Sequence, residues 1–209
     1  MKQIKEQKEQ SREVGRQIAH LITGLILVAL IYIASFYIDA ILIKILIFII
    51  LIAGLVIALA SKSLRIPVIW WFLKKFEHAE DLKSLPGKGV LFMFLGAFLS
   101  LLFFPLNTAL AAITILALGD SIAPLVGMYH GRIRHPFSSK RYTEGFLAGI
   151  AVSFIGAMFF VSWPHALIAA TAAMVIEGLD IELRISPADD NLVIPIVAGV
   201  VIWLVGLVL

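Results

Sequence analysis

Residues 41–60 read ILIKILIFIILIAGLVIALA, an apolar run of twenty residues in which Lys44 is the only charged residue. A helix needs roughly 20 apolar residues to cross the hydrocarbon core of a bilayer, so this stretch is predicted to be a transmembrane helix. The whole chain follows the same pattern. Of its 209 residues, 61% are hydrophobic and 15% are charged, and the charged residues separate long apolar runs. This composition indicates an integral membrane protein.

Six further apolar runs accompany this segment. We therefore predict an all-α, polytopic membrane bundle of about seven transmembrane helices, forming a single integral membrane domain over residues 1–209. The first run follows a charged segment and is too long for a signal peptide, so it is predicted to remain as an anchor. The predicted spans are residues 18–38, 41–60, 89–104, 106–118, 145–161, 165–178 and 192–209.

Basic residues fix the predicted orientation. Sixteen of the 17 Lys and Arg residues lie in a cytoplasmic tail (1–16) and in the segments 61–88, 127–144 and 179–191. Since Lys and Arg concentrate in cytoplasmic loops, the amino terminus is predicted inside and the carboxyl terminus outside. The same bias accounts for the net charge of +3, so nucleic acid is not a predicted partner. There is no cysteine, which excludes disulfides and thiolate metal sites.

The cytoplasmic segment 61–88 mixes aromatic and apolar residues with lysines and glutamates between Leu64 and Lys83. Trp and Phe suit the headgroup level of a membrane, and Lys favours anionic lipid. We predict an interfacial amphipathic helix here, with a partner-binding surface as the alternative.

Six acidic residues are brought to the inner membrane face by the predicted topology. They are Asp120, Glu144, Glu177, Asp180, Asp189 and Asp190. Carboxylates at membrane depth are costly and are usually paired, solvated or functional. They therefore predict a site at this face, although some of them could merely balance nearby basic residues or cap a helix.

The run LGDSIAPLVG at residues 118–127 ends a predicted span with Gly119, Asp120 and Ser121. Its glycines allow close backbone approach, so it suits a phosphate-bearing ligand. Asp120 suits Mg²⁺, which prefers carboxylate oxygens, water and phosphates. Pro124 predicts a break or kink in the helix. The alternative for Asp120 is a carboxylate bonded to its own helix end.

Three further groups are candidate phosphate contacts. Lys140 precedes a helix amino terminus, which favours anions. The turn Gly87-Lys88-Gly89 allows a backbone nest with an added charge, or it is a simple positioning turn. Arg16 and His20 share one face of the first helix, either at the site or as an interfacial anchor pair.

At these positions the chain resembles the family of dolichol kinases, phytol kinases and CTP-dependent diacylglycerol kinases. The resemblance is carried by Arg16 to His20, Gly87-Lys88-Gly89, residues 118–127 with Gly131, Ser139-Lys140 with Glu144-Gly145, Glu177, and Asp190-Asn191 with Pro195. It implies transfer of the γ-phosphate of CTP, with Mg²⁺ or another divalent cation, to the hydroxyl of a lipid such as dolichol or another polyprenol.

On this reading Asp120, Glu177, Asp180 and Asp190 hold the metal, Lys140 and Lys88 bind phosphates, Asn191 orients the nucleotide, and Asp120 or Glu144 accepts the hydroxyl proton. CTP arrives from the cytosol and the lipid alcohol from the bilayer. A membrane CDP-lipid synthase, or phosphatidate cytidylyltransferase, is the nearest alternative, but its Lys-Asp pair and Pro-Gly-His-Gly-Gly stretch are absent. An ion-coupled transporter and a membrane scaffold are alternatives from other classes.

Overall fold

Eight helices form the part of the chain that the computed structural model describes, which is residues 2–64, 67–77, 82, 85–138, 141–179 and 190–208. They are α1 (Lys2–Ala34), α2 (Ala40–Ala60), α3 (Pro67–Phe76), α4 (Lys88–Phe103), α5 (Leu106–His130), α6 (Thr143–Ala157), α7 (Trp163–Gly178) and α8 (Asp190–Val205). Within these residues the only β-type pairing is an isolated bridge between Arg134 and Tyr142. The predicted helical bundle is confirmed.

Helix α5 lies at the centre, where it contacts α1, α4, α6, α7 and α8. Small residues make these contacts close. Ala111 and Ala112 of α5 are fully buried, and a Cβ placed on Gly24 of α1 would lie 2.5 Å from the Cβ of Ala117. Helices in lipid associate mainly through such backbone approach, because hydrocarbon chains give apolar side chains no reason to leave them.

Helix α2 lies at the edge of the bundle. Only 11% of its most apolar 18-residue window is buried, against 67% for the corresponding window of α5. A helix that is apolar on every side and remains exposed to its surroundings suits a hydrocarbon solvent. Helix α2 is therefore the least buried of the three long apolar helices.

Three helical segments are long and apolar enough to cross a membrane, namely Glu9–Ala34, Ala40–Ser61 and Leu106–His130. The other apolar helices of the bundle are shorter. Helices α4, α7 and α8 have 16 residues each and α6 has 15, which at 1.5 Å per residue gives about 24 Å, less than the hydrocarbon thickness of about 30 Å. Membrane association is supported by the three long segments.

Two helices extend beyond the predicted spans. The segment predicted as a tail, residues 1–16, is helical from Lys2 onward, because Lys, Glu and Gln are good helix formers. Helix α5 continues to His130 through Pro124, so the predicted loop 127–144 begins within a helix. The packing of α5 on its neighbours outweighs the single hydrogen bond that Pro124 removes.

The predicted amphipathic helix corresponds in part to α3, which packs against α1. Lys74 and Lys75 lie over the rings of Trp70 and Trp71, at 5.3 and 4.7 Å from the ring centroids. Trp71 is 60% exposed. This helix ends at Phe76, and of the remaining predicted stretch residues 65–66, 78–81 and 83 lie outside the described residues.

Gly145 is a close contact between α6 and α5. A Cβ at Gly145 would overlap the carbonyl oxygen of Ala123 and lie 3.1 Å from the backbone nitrogen of Gly127. Gly145→Ala is therefore expected to destabilise the protein by about 1–3 kcal/mol, the usual cost of overpacking. Thermal unfolding in detergent measures this change. Gly206→Ala is the control, since its nearest atoms are 3.5 Å away; equal losses in both variants would contradict the assignment.

Candidate functional site

A cavity of about 310 Å³ lies at one end of the bundle, where α1, α5, α6, α7 and α8 meet the loop of residues 131–143. Both apolar and polar residues line it. The apolar part includes Met128, Tyr142 and Phe146. The polar residues are Glu13, Arg16, Gln17, Asp120, His135, Arg141, Glu177, Asp190 and Asn191. Four of the predicted acidic or amide residues, Asp120, Glu177, Asp190 and Asn191, are therefore brought together here.

Arg141 joins two of these carboxylates. Its Nη1 atom forms a close ion pair with Oε1 of Glu177, and its Nη2 atom lies 3.4 Å from Oδ2 of Asp190. The Glu177 side chain is only 4% exposed. An unpaired charge at such a position would be costly, and Arg141 offsets part of that cost. The pair also ties the end of α7 to the start of α8.

A second arginine faces the cavity from α1. Arg16 donates hydrogen bonds from Nε and Nη2 to the carboxylate of Glu13, at 3.0 and 2.6 Å. Gln17 donates to the same carboxylate at 2.8 Å. Residues three and four apart lie on one face of a helix, which is why these three side chains gather. Arg16 was predicted as a phosphate contact and does line the cavity.

Asp120 lines the cavity from the centre of α5, with a side chain that is 20% exposed. Its Oδ2 atom lies 3.6 Å from Nε2 of His20, a distance too long for a hydrogen bond. The residues on either side of Asp120, Gly119 and Ser121, are not part of the cavity lining. Gly119 packs on Met174 and Ser153, and the fully buried Ser121 hydroxyl has no hydrogen-bond partner among the described residues.

Glu144 lies outside this cavity lining. Its carboxylate accepts hydrogen bonds from the backbone N–H groups of Arg132 at 3.0 Å and Ile133 at 3.1 Å. Its own backbone N–H and these two hold the pKa of Glu144 below its usual value. A carboxylate stabilised in its charged form is a poor proton acceptor near neutral pH. Its observed contacts are those of a clasp on the 131–143 loop.

Two backbone hydrogen bonds, which form the Arg134–Tyr142 bridge, hold the ends of the same loop together. The N–H of His135 donates to the carbonyl of Arg141 at 3.0 Å, and that of Thr143 donates to the carbonyl of Ile133 at 2.9 Å. The Arg134 guanidinium lies 4.4 Å from the ring centroid of Tyr142. This folded loop, together with the Glu144 clasp, carries Arg141 to the cavity.

The predicted phosphate nest at Gly87-Lys88-Gly89 is also outside the cavity lining. Gly87 has a positive φ of 80°, and its N–H donates to Oε1 of Glu77 at 2.6 Å. The Glu77 carboxylate thus occupies the backbone N–H of Gly87 that was predicted to bind phosphate. Lys88 lies 5.6 Å from the centroid of Phe92. Gly89 does touch the site, because its carbonyl accepts from Nδ2 of Asn191 at 3.2 Å.

The predicted carboxylate metal set is not assembled in the part of the chain that the structure describes. No three His, Asp or Glu side chains there are grouped closely enough to hold an ion. Arg141 explains the separation, since it takes up both Glu177 and Asp190. Asp180 and Asp189 lie outside the described residues, as does the predicted phosphate ligand Lys140. Among the described residues, Asp120 is the acidic lining residue without an ion pair to an arginine.

No protein-family model, curated protein or solved structure matches this chain.

Sequence reasoning missed Arg141 and His135 as lining residues, and also Glu13 and Gln17. Arg141 stands beside Lys140, which seemed the better phosphate contact on charge and position alone. The signal that could have found Arg141 is the excess of acids predicted for this face, which requires a cation close by. Nothing in the sequence separates His135 from the other basic residues of its loop.

The pairing of Arg141 with Glu177 predicts a large effect on stability. Arg141→Ala leaves the buried Glu177 without its partner and is expected to lower the free energy of unfolding by on the order of 3 kcal/mol. The expected loss lies at the low end of the range for buried pairs because the Arg141 side chain is 31% exposed. Denaturant unfolding in detergent measures the loss. The double variant Arg141→Ala/Glu177→Gln should recover most of it; a double variant as unstable as the single one would refute the pairing.

Proposed function

We propose that this protein is a CTP-dependent kinase that transfers the γ-phosphate to the hydroxyl of a polyprenol such as dolichol. The observation that carries the proposal is that Arg16, Arg141 and Asp120 line a single cavity at one end of a bundle with membrane-length helices. The choice of CTP and of a polyprenol rests on the family resemblance of the motifs at residues 118–127 and 139–145.

Two arginines suit the phosphates of a nucleotide, because guanidinium groups bind phosphate oxygens in a bidentate manner. Each arginine is held by carboxylates, Arg16 by Glu13 and Arg141 by Glu177 and Asp190. A phosphate that enters the cavity would compete with these partners. The guanidinium groups are thus already oriented, which lowers the cost of ordering them on binding.

The cavity lining contains more carboxyl groups than guanidinium groups. Glu13, Asp120, Glu177 and Asp190 lie there with Arg16 and Arg141. An anionic triphosphate would bind there only with a cation. Mg²⁺ is commonly bound by one or two carboxylates together with substrate phosphates, and Asp120 supplies one. When bound, the ion would neutralise the charge that develops on the transferred phosphoryl group.

Asp120 is also the better of the two predicted proton acceptors. It lines the cavity, whereas Glu144 is engaged by the backbone of its loop. In the transfer, the lipid oxygen forms a bond to the γ-phosphorus while the bond from that phosphorus to the β–γ bridging oxygen breaks. The hydroxyl proton passes to Asp120 and CDP leaves. Asn191 orients the nucleotide by accepting a hydrogen bond from it. Its buried Oδ1 is available for this bond because it has no hydrogen-bond partner among the described residues.

The proposal includes seven membrane crossings, with the amino terminus and the cavity on the cytoplasmic side. The absence of cysteine makes this testable with single-cysteine variants. Tyr37→Cys and Phe159→Cys, each at an 82% exposed site, are expected to react with an impermeant maleimide from outside sealed cells. Ile133→Cys is expected to react only after permeabilisation. Phe159→Cys that reacts from the same side as Ile133→Cys would mean that α6 does not cross.

The kinase activity is tested with purified protein, Mg²⁺ and CTP or ATP labelled at the γ-phosphate. Polyprenols, phytol and diacylglycerol are offered as acceptors. We expect label from CTP in a polyprenol, and a loss of about a hundredfold or more in Asp120→Asn, since general base and charge effects each contribute on this scale. Asp39→Asn is the matched control, because Asp39 lies in the α1–α2 turn outside the cavity lining.

Other results would point elsewhere. Pyrophosphate release from CTP with phosphatidate as acceptor would indicate the CDP-lipid synthase, and no reaction in either assay would favour the transporter. Glu144→Gln discriminates between the two carboxylates. The glutamine amide oxygen can still accept hydrogen bonds from the backbone N–H groups of Arg132 and Ile133. If Glu144 only closes the loop, phosphoryl transfer is largely retained in this variant. If Glu144 is the catalytic base, transfer is lost.

A further inference from the structure

His135 is a buried lining residue to which the proposed mechanism gives no role. Its side chain is 8% exposed overall, and it lies in the wall of the cavity. Its backbone N–H donates to the carbonyl of Arg141 at 3.0 Å. This hydrogen bond therefore keeps an imidazole and a guanidinium group close to each other at the cavity.

The hydrogen bonds of the ring define its donor. The backbone N–H of Phe137 donates to Nδ1 of His135 at 3.4 Å, which uses the lone pair of that nitrogen. A neutral imidazole carries its proton on the other nitrogen. Nε2 is therefore the hydrogen-bond donor of His135, and it has no acceptor among the described residues.

The ring is held firmly in this orientation. Its centroid lies 4.9 Å from that of Phe146 and 5.9 Å from that of Phe137. The Cε1–Nε2 edge faces Gly178, another lining residue, where an added Cβ would be 3.0 Å from Cε1 and 3.3 Å from Nε2. Gly178 thus leaves room for the donor edge within the cavity lining.

We propose that Nε2–H of His135 donates a hydrogen bond to a phosphate oxygen beside Arg141. The carboxylates nearby are poor alternatives, since Glu177 and Asp190 are paired with Arg141 and Glu13 with Arg16. Hydrogen bonds to charged acceptors are shorter and stronger than neutral ones, so an incoming oxyanion suits this donor. This inference rests on the proposed function in taking the ligand as a phosphate, and it adds a specific contact for it.

Binding without turnover tests the contact. Pyrophosphate is titrated by calorimetry into the purified full-length protein in detergent, with Mg²⁺ and without lipid acceptor. His135→Phe keeps the aromatic packing but removes the donor, and we expect about tenfold weaker binding, the effect of one hydrogen bond to a charged group. His135→Gln should restore part of the affinity through its amide N–H. His130→Phe is the control, because His130 is exposed and outside the lining.

Gly178→Ala provides a second test that retains the imidazole. The added methyl group would press on the Cε1–Nε2 edge, so pyrophosphate affinity should fall as it does in His135→Phe. Thermal unfolding identifies any variant that simply fails to fold, and His135→Gln keeps the test decisive in that case. Equal affinity of the wild type, His135→Phe and His135→Gln would overturn the proposal.

Vesicles containing phosphatidate distinguish a lipid phosphate from a nucleotide phosphate. Binding of phosphatidate vesicles that depends on His135, with no binding of pyrophosphate, would assign the contact to a lipid headgroup. Binding of neither would overturn it. The proposed kinase can fail separately: pyrophosphate binding that depends on His135, with no labelled lipid under any condition, keeps this contact and rejects the transfer reaction.

Discussion

The ion pairs of Arg141 with Glu177 and Asp190 are the interaction on which the organisation of this end of the bundle depends. Glu177 is buried at the end of α7, where an isolated carboxylate would be strongly disfavoured. Arg141 arrives from a loop between α5 and α6 and meets both α7 and α8. One guanidinium group thus allows three segments of the chain to place charges around a common cavity.

The loop that carries Arg141 has its own support. Glu144 accepts two backbone N–H groups, and Gly145 lets the start of α6 lie directly on the backbone of α5. Glu144 closes the loop through its hydrogen bonds, and Gly145 sets the distance between α5 and α6. Together they give the glutamate and the glycine at these positions roles in hydrogen bonding and packing.

Two prolines act on the same end of the bundle. Pro124 lies within α5 and Pro195 within α8, and each lacks the N–H that would bond the carbonyl four residues earlier. Those carbonyls belong to Asp120 and Asn191, both of which line the cavity. The helices continue through both prolines, so the backbone changes its hydrogen bonding at the site without losing the rigid elements that position it.

The sequence alone determined a helical bundle and the start and end of helices such as α2, because apolar run length reflects bilayer thickness directly. It also singled out Asp120 and Glu177, since acids within apolar runs are rare and costly. Only the tertiary structure decided that Arg141 forms an ion pair with Glu177 and that Glu144 accepts hydrogen bonds from the backbone of a loop. These outcomes depend on contacts between residues 11 to 36 positions apart, and the local pattern of a sequence does not specify which distant partner a charge will meet.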